Sequence, residues 1–391
     1  MTEQDVERQA SIPVLASIGA LQGAFQNIRG VIWQPFVLSL GVSMKSLGGL
    51  ASLLNLTRIV VQPVVGRASD AYGRKRFIMA REILILLAGI LLVFTRSWHL
   101  LLVVVVFLGL EQAIYPVWST LVAESVDVSK LGYTYSVLGT STMAAGLIAS
   151  LAAGYMAEAY GYHAVFAIST GLAFVAFVIV LTRLAETMRT QSDVRFGWPD
   201  LASSLIDTLK PPTHLRGFYI AMTVDLVAFG TGYSILYGML AKVYGYTPSM
   251  LGILSTVMTG SMALFQVPVG RYADRVGYVK YLAISQAIAC VTIGMVLLSK
   301  RYDVVMLAQA LLGFSASFWT PAEQAWIAKN VNPGERAQAI GSYAAFRGLL
   351  SLPAPFIGGL LFDAYGFNVP MIINLVIALV DIVLILALVK D

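Results

Sequence analysis

The sequence predicts an all-α polytopic membrane protein of twelve transmembrane helices, organised as a parallel repeat of two six-helix bundles. Three observations predict it. Of 391 residues, 58% are hydrophobic and only 12% charged, against roughly 25% charged in a soluble domain, and mean hydropathy is +0.78. The apolar residues form continuous runs of bilayer length without alternation, which is a helical and not a β-barrel pattern. Landmarks of the first half return in the second at a near-constant offset, with an even number of runs between them.

A bilayer core takes about 20 apolar residues per helix. Span 1 (12–40) carries Gln22, Gln26 and Arg29 at helical spacing, with Trp33 a turn beyond. Span 2 (46–66) has Asn55, Arg58 and Gln62 on one stripe. Span 3 (77–96) reads as nearly free of mid-span charge, whereas span 4 (98–123) holds Glu111, Tyr115 and Trp118. Span 5 (133–158) spaces Gly146, Ser150 and Gly154 four apart for a close helix crossing, and span 6 (162–185) is apolar. A polar stretch, 186–216, then divides the chain into bundles 1–185 and 217–391; it contains Pro211-Pro212 and an amphipathic segment, 198–209, suited to a membrane surface. Span 7 (217–243) carries Asp225, Tyr233 and Tyr237, and its Gly230-Thr231-Gly232 permits a bend. Span 8 (249–270) repeats the small-residue stripe as Gly252, Thr256 and Gly260; span 9 (279–299) holds the single cysteine, Cys290. Span 10 (303–328) sets Ser315, Trp319, Glu323 and Trp326 on one face. Span 11 (338–362) has Arg347 beside Tyr343, and span 12 (367–390) has Asp381.

Orientation follows from the loops. With the N-terminus in the cytoplasm, Arg67, Arg74, Lys75, Arg76 and Arg81 fall at the inner end of spans 2 and 3, and Arg183, Arg189, Arg195, Lys210, Arg216, Arg271, Arg275 and Lys280 also lie inside. The outer loops keep only Lys45, Arg96, Lys242, Lys300 and Arg301, so both termini are expected in the cytoplasm. The net charge of +5 therefore signals orientation and not nucleic-acid binding. One cysteine excludes an internal disulfide, three scattered histidines (His99, His163, His214) give no metal set, and no cofactor or metal is expected. Residues 1–11 are polar and do not read as a signal peptide. No Gly-rich loop with Lys-Ser/Thr is present, which argues against ATP-driven transport by this chain. Asn55-Leu56-Thr57 matches a glycosylation acceptor but lies inside a span.

The repeat is specific. Gly41 and Gly48 return as Gly245 and Gly252; Gln62, Gly66, Asp70 and Gly73 return as Gln266, Gly270, Asp274 and Gly277; Tyr160-Gly161 returns as Tyr365-Gly366, all at an offset of about 204. The loop between spans 2 and 3 reads Gly66-Arg67-Ala68-Ser69-Asp70-Ala71-Tyr72-Gly73-Arg74-Lys75-Arg76, with a degenerate copy at Gly270-Arg271-Tyr272-Ala273-Asp274-Arg275-Val276-Gly277. This resembles the signature loop of the major facilitator superfamily, and the resemblance covers essentially the whole chain. It implies that spans 1, 4, 7 and 10 surround a central cavity, and that spans 5 and 8 pack across the domain boundary, packing within one half being the alternative. It also makes Gly66, Arg67, Asp70, Gly73, Arg74, Lys75, Gly270, Asp274 and Gly277 a cytoplasmic gating loop. There Gly66 would allow close backbone approach, and Asp70 would sit at the positive end of a neighbouring helix. The basic triplet would latch to acidic partners or meet anionic headgroups.

Ionisable groups in hydrocarbon are costly and mark candidate sites. Two readings stay open. Arg29 or Arg58 pairs with Glu111 as a structural ion pair, or the arginines attract an anionic part of the substrate while a carboxylate carries a proton. Glu111, Asp225 and Glu323 are the proton-coupling candidates, Glu111 first for its depth, with Asp381 read as structural or packed on span 10 or 11. Trp118, Tyr233, Tyr237, Trp319 and Trp326 enclose an apolar or cationic ligand, or else fill helix interfaces.

Within the superfamily the broad resemblance is to drug/proton antiporters, although Gly109-Leu110-Glu111-Gln112-Ala113 has an acid where those exporters carry an arginine, and Gly146-Leu147 replaces their Gly-Pro pair. The resemblance implies a secondary active transporter, not an enzyme, acting by alternating access as a proton-coupled exporter of amphipathic compounds. A symporter or uniporter for organic anions, kept open by Arg29, Arg58 and Arg347, and a receptor without flux are the alternatives. A monomer in the cell membrane, with a small-molecule substrate, protons and lipid as its partners, is expected.

Overall fold

A bilayer core offers no water to backbone N–H and C=O groups, so each long apolar run must close its hydrogen bonds on itself. The computed structural model describes residues 11–126, 130–187, 211–331 and 336–390, with the side chains of 271–276, 328 and 336–338 outside that description. Among the described residues every regular element is helical. In chain order these are α1 (Ile12–Ser39), α2 (Met44–Tyr72), α3 (Arg74–Phe94), α4 (His99–Ser125), α5 (Leu131–Tyr160), α6 (Tyr162–Arg183), α7 (Arg216–Thr231), α8 (Leu236–Tyr244), α9 (Pro248–Val276), α10 (Tyr278–Leu298), α11 (Tyr302–Asn330), α12 (Arg336–Ser351), α13 (Ala354–Tyr365) and α14 (Asn368–Leu388). Among the described residues, eleven helical segments are long and apolar enough to cross a membrane. α1 falls short because Gln22, Gln26, Asn27, Arg29 and Gln34 interrupt its apolar surface. The amphipathic segment expected at 198–209 lies outside the described residues.

Spans 7 and 11, expected as single helices, are each broken, into α7 and α8 and into α12 and α13. Close packing accounts for the first break. A Cβ on Gly230 would meet Ala354, and one on Gly232 would meet Asn374. Pro355, in the first turn of α13, lacks the N–H that would continue α12. The two breaks touch, because the backbone of Thr231 occupies the space a Cβ on Gly358 would need.

The positive-φ residues among those described are six glycines: 41, 73, 161, 245, 277 and 366. They form the three pairs that the internal repeat matched in sequence. Both halves therefore turn their chain at the same places, with left-handed backbone that favours glycine.

The chain divides into two compact units, Met1–Leu40 with Leu53–Leu201, and Gly41–Ser52 with Ala202–Asp391. In the first, α1 packs on α5 and α6, and α3 on α4 and α6. Gly146 and Ser150 of α5 face Asn27 of α1, so this part of the small-residue stripe serves packing within one unit. In the second, α9 and α10 pack on α11, and α14 packs on α7 and α10. There Asp363 caps the start of α2, accepting hydrogen bonds from Met44 N (3.2 Å) and Lys45 N (2.7 Å).

Candidate functional site

Each unit holds a buried polar cluster, built from matching helices. In the first, Arg81 of α3 donates Nε and Nη2 to Glu111 Oε1 of α4 at 3.1 and 2.9 Å. Arg81 also reaches Glu82 Oε1 (3.4 Å), which accepts a further bond from Gln22 of α1 at 3.3 Å. Arg81, Glu82 and Glu111 are each 0% exposed. Arg29 stands 3.9 Å from Glu111 Oε2. That oxygen and Glu82 Oε2 are buried without a hydrogen bond. A small cavity between α1, α3, α4 and α6 opens beside Arg29, lined by Phe25, Ile85, Leu108 and Phe166.

These distances correct two expectations. Arg81, read as an orientation signal at a helix end, is a fully buried ion-pair partner. Span 3, expected to be nearly free of mid-span charge, supplies both Arg81 and Glu82. Glu111 does form an ion pair, but its close partner is Arg81, with Arg29 at the edge. The run of apolar residues around Arg81 and Glu82 was the signal that could have placed them inside.

In the second unit, Glu323 of α11 accepts hydrogen bonds from Tyr343 and Arg347 of α12, and Arg347 also donates to the Tyr343 hydroxyl. Behind this triad, Gln286 Nε2 of α10 donates to Asp225 Oδ1 of α7 (3.3 Å) and to Asp381 Oδ2 of α14 (3.0 Å). Asp381, expected against span 10 or 11, thus meets span 9.

The two clusters are variations of one plan. Glu82 corresponds to Gln286 at the repeat offset of 204 and Gln22 to Asp225 one residue short of it, at 203, so the acid and the amide have exchanged helices. Arg81 and Glu111 correspond to Ser285 and Ser315, which hydrogen-bond to each other at 2.9 Å. Gly109 and Gly313 also correspond. A Cβ on the first would strike Leu54 and Thr57, and one on the second Met258 and Ser261, which are themselves matched pairs.

The remaining candidates scatter. Trp118 is 5% exposed in the core of the first unit. Trp326, 3% exposed, stacks on Phe218 and donates to Lys390 O, so both tryptophans fill helix interfaces. Tyr233 is buried against Thr292. Gln26, Asn55, Arg58, Tyr237 and Trp319 are half-buried, and Tyr115 is exposed.

In the signature loop, Asp70 pairs with the side chain of Arg74, which also binds Glu124 at 3.2 Å. The positive end of α3 is taken instead by Glu186, which accepts from Arg74 N (2.9 Å) and Lys75 N (3.1 Å). Lys75 Nζ donates to Leu181 O, while Arg67 is half-buried. Gly66 and Gly270 have open space where a Cβ would stand, so close backbone approach does not explain them here. Gly73 (φ 100°) and Gly277 (φ 97°) are required by their backbone, and the side chain of Asp274 lies outside the described residues.

The sequence profile of the Major Facilitator Superfamily matches residues 15–236 and again 218–391. The multidrug resistance protein MdtG of Proteus mirabilis (strain HI4320) is 25% identical over 324 residues, covering 81% of this chain and 79% of that protein. MdtG of Rahnella sp. (strain Y9602) is 23% identical over 354 residues, covering 88% and 85%. Among solved structures, the nucleoside transporter NupG superposes with a TM-score of 0.74 at 14% identity, covering 99% of this chain and 98% of that one. The human organic anion transporter MFSD10 superposes with a TM-score of 0.69 at 15% identity, covering 98% and 100%. Profile, relatives and fold agree: the chain belongs to the Major Facilitator Superfamily and is a membrane-embedded secondary transporter with that family's all-helical, twelve-span fold.

Proposed function

We propose that this protein is a proton-coupled exporter of amphipathic organic compounds, acting by alternating access and catalysing no chemical conversion. Its working form is a monomer in the cell membrane, with both termini cytoplasmic, as the lysine and arginine distribution favours. Bundles 1–185 and 217–391 form the two halves, joined by 186–216.

One observation carries the coupling. Glu111 commits a single oxygen to Arg81 and leaves Oε2 buried with no hydrogen bond. Arg29 stands 3.9 Å from that oxygen, and a proton delivered to Glu111 would weaken its hold on Arg81, which is the step we assign to coupling. The multidrug resistance relatives support an amphipathic substrate. Arg29 favours a second reading, organic-anion symport or uniport, because its nearest acid oxygen is 3.9 Å away and its charge is only loosely matched.

The test is flux in proteoliposomes under an imposed pH gradient, with a panel of organic cations, neutral amphiphiles and anions, comparing wild type with Glu111→Gln. Cation or neutral flux against the proton gradient, abolished in folded Glu111→Gln, supports the proposal. Anion flux that survives Glu111→Gln overturns it and moves the substrate site to Arg29 and Arg58.

A further inference from the structure

Among the described residues, no cation stands within hydrogen-bonding distance of Asp225 or Asp381, a half-buried and a buried acid of the second unit. Asp225 and Asp381 each direct one oxygen to the same nitrogen, Gln286 Nε2, so the carboxyl groups lie within a few ångströms of each other. Asp381 and Gln286 are 0% and 3% exposed, and Asp381 Oδ1 is sealed from solvent with no hydrogen-bond partner. One neutral amide cannot offset two carboxylates. Like charges this close disfavour double ionisation, and burial removes the water that would screen them.

The surroundings do not supply the missing charge to Asp381. From α10 it faces Gln286 and the thiol of Cys290. From α7 it faces Asp225. The acid of the third helix against it, Asp363 of α13, is held by the amides of Met44 and Lys45. Arg347 acts on Asp225, but its hydrogen bonds go to Glu323 and Tyr343, and the Glu323 charge opposes its effect. A metal ion fits poorly, since the amide donates hydrogens into the space between the acids, and the described residues include no group of three metal-type ligands.

We propose that Asp225 and Asp381 form a proton-holding carboxyl pair: the two acids hold one proton in common, Asp381 is its sealed resting place, and half-buried Asp225 is where it enters and leaves. The step balances without a co-reactant. A hydronium ion gives its proton to Asp225, the proton passes to Asp381, and Asp225 regains its charge beside Arg347. The use of this proton in transport rests on the proton-coupled reading; the existence of the pair does not. It adds to the second half a proton site distinct from Glu111.

Infrared difference spectroscopy of the purified protein in lipid films, titrated from alkaline to acid buffer in sodium-free salt, tests it without any substrate. Wild type is expected to show the carbonyl stretch of a protonated buried carboxyl. Asp381→Asn should lose that band. Asp225→Asn should move its midpoint down by about one pH unit or more, the tenfold loss of proton affinity expected when a like charge is removed. Gln286→Leu leaves both acids in place but removes the shared donor, so its midpoint should rise; it serves as the second reading if an aspartate variant fails to fold. A band and midpoint unchanged in the folded aspartate variants, or in Gln286→Leu, overturns the proposal. So does a wild-type midpoint displaced by sodium, which would mark a cation site. If the band behaves as expected while no substrate moves against a proton gradient, the pair stands and the exporter reading falls.

Discussion

Arg81 sends two N–H groups to one oxygen of Glu111, at 3.1 and 2.9 Å, and neither side chain is more than 1% exposed. The pair ties α3 to α4 inside the first unit, and Glu82 and Gln22 extend it to α1. Buried ion pairs rarely improve on apolar packing, but breaking one leaves a charge with no solvent. Arg81→Met should therefore cost about 3–5 kcal/mol, seen as a large fall in Tm in detergent. Arg81→Lys should restore only part of it, because an ammonium lacks the planar fork that serves Glu111 and Glu82 together. A Tm within error of wild type for Arg81→Met would refute the pair's structural weight.

The exchanged positions of acid and amide make a sharper test. Gln22→Glu alone sets two carboxylates side by side on α1 and α3 and should lower Tm markedly. Adding Glu82→Gln recreates in the first unit the arrangement of Asp225 and Gln286. The double variant should recover most of the loss, and a double variant no better than the single would show that the two clusters are not interchangeable designs.

Helix crossings at the matched glycines predict a contrast. Gly109→Ala and Gly313→Ala push a methyl into the backbone of α2 and α9 respectively and should each cost about 1–3 kcal/mol. Gly139→Ala, on α5 with open space around it, should be neutral or gain about 1 kcal/mol from helix propensity. Thermal melts of the three variants decide it.

At the signature loop, Glu186→Ala frees the first amides of α3 and should cost about 1 kcal/mol, the usual scale for a carboxylate at a helix N-terminus. Asp70→Asn should cost less in Tm, since its salt bridge to Arg74 is half exposed and screened. Melting both variants at low and high salt separates the two effects.

Much of this architecture was legible in the chain. Spans showed because lipid demands long apolar runs, and the repeat showed because Gly73 and Gly277, or Gly161 and Gly366, occupy backbone that only glycine takes easily. Glu111 stood out as an acid in mid-span. Its true partner did not, because Arg81 lies near enough to the end of α3 to pass as a loop charge, and only the packing of α4 beside it reveals the pair. Glu82 was hidden for the same reason, while for Trp118 and Trp326 ligand contact and helix interface both stayed compatible with the sequence until their burial was visible. The breaks in spans 7 and 11 depend on what packs against Gly232 and Gly358, which no local pattern encodes.

The balance of charge in the first-unit cluster has an electrical consequence. With all four groups ionised, Arg29 and Arg81 cancel Glu82 and Glu111, so the cluster as a whole is neutral. One uncompensated charge crossing a membrane potential exchanges about 2.3 kcal/mol per 100 mV. A neutral cluster carried as a body through the same field exchanges almost nothing, so these four groups add no voltage dependence of their own. A proton taken up at Glu111, as the proposed exporter cycle requires, would leave the cluster with one positive charge for the membrane potential to push.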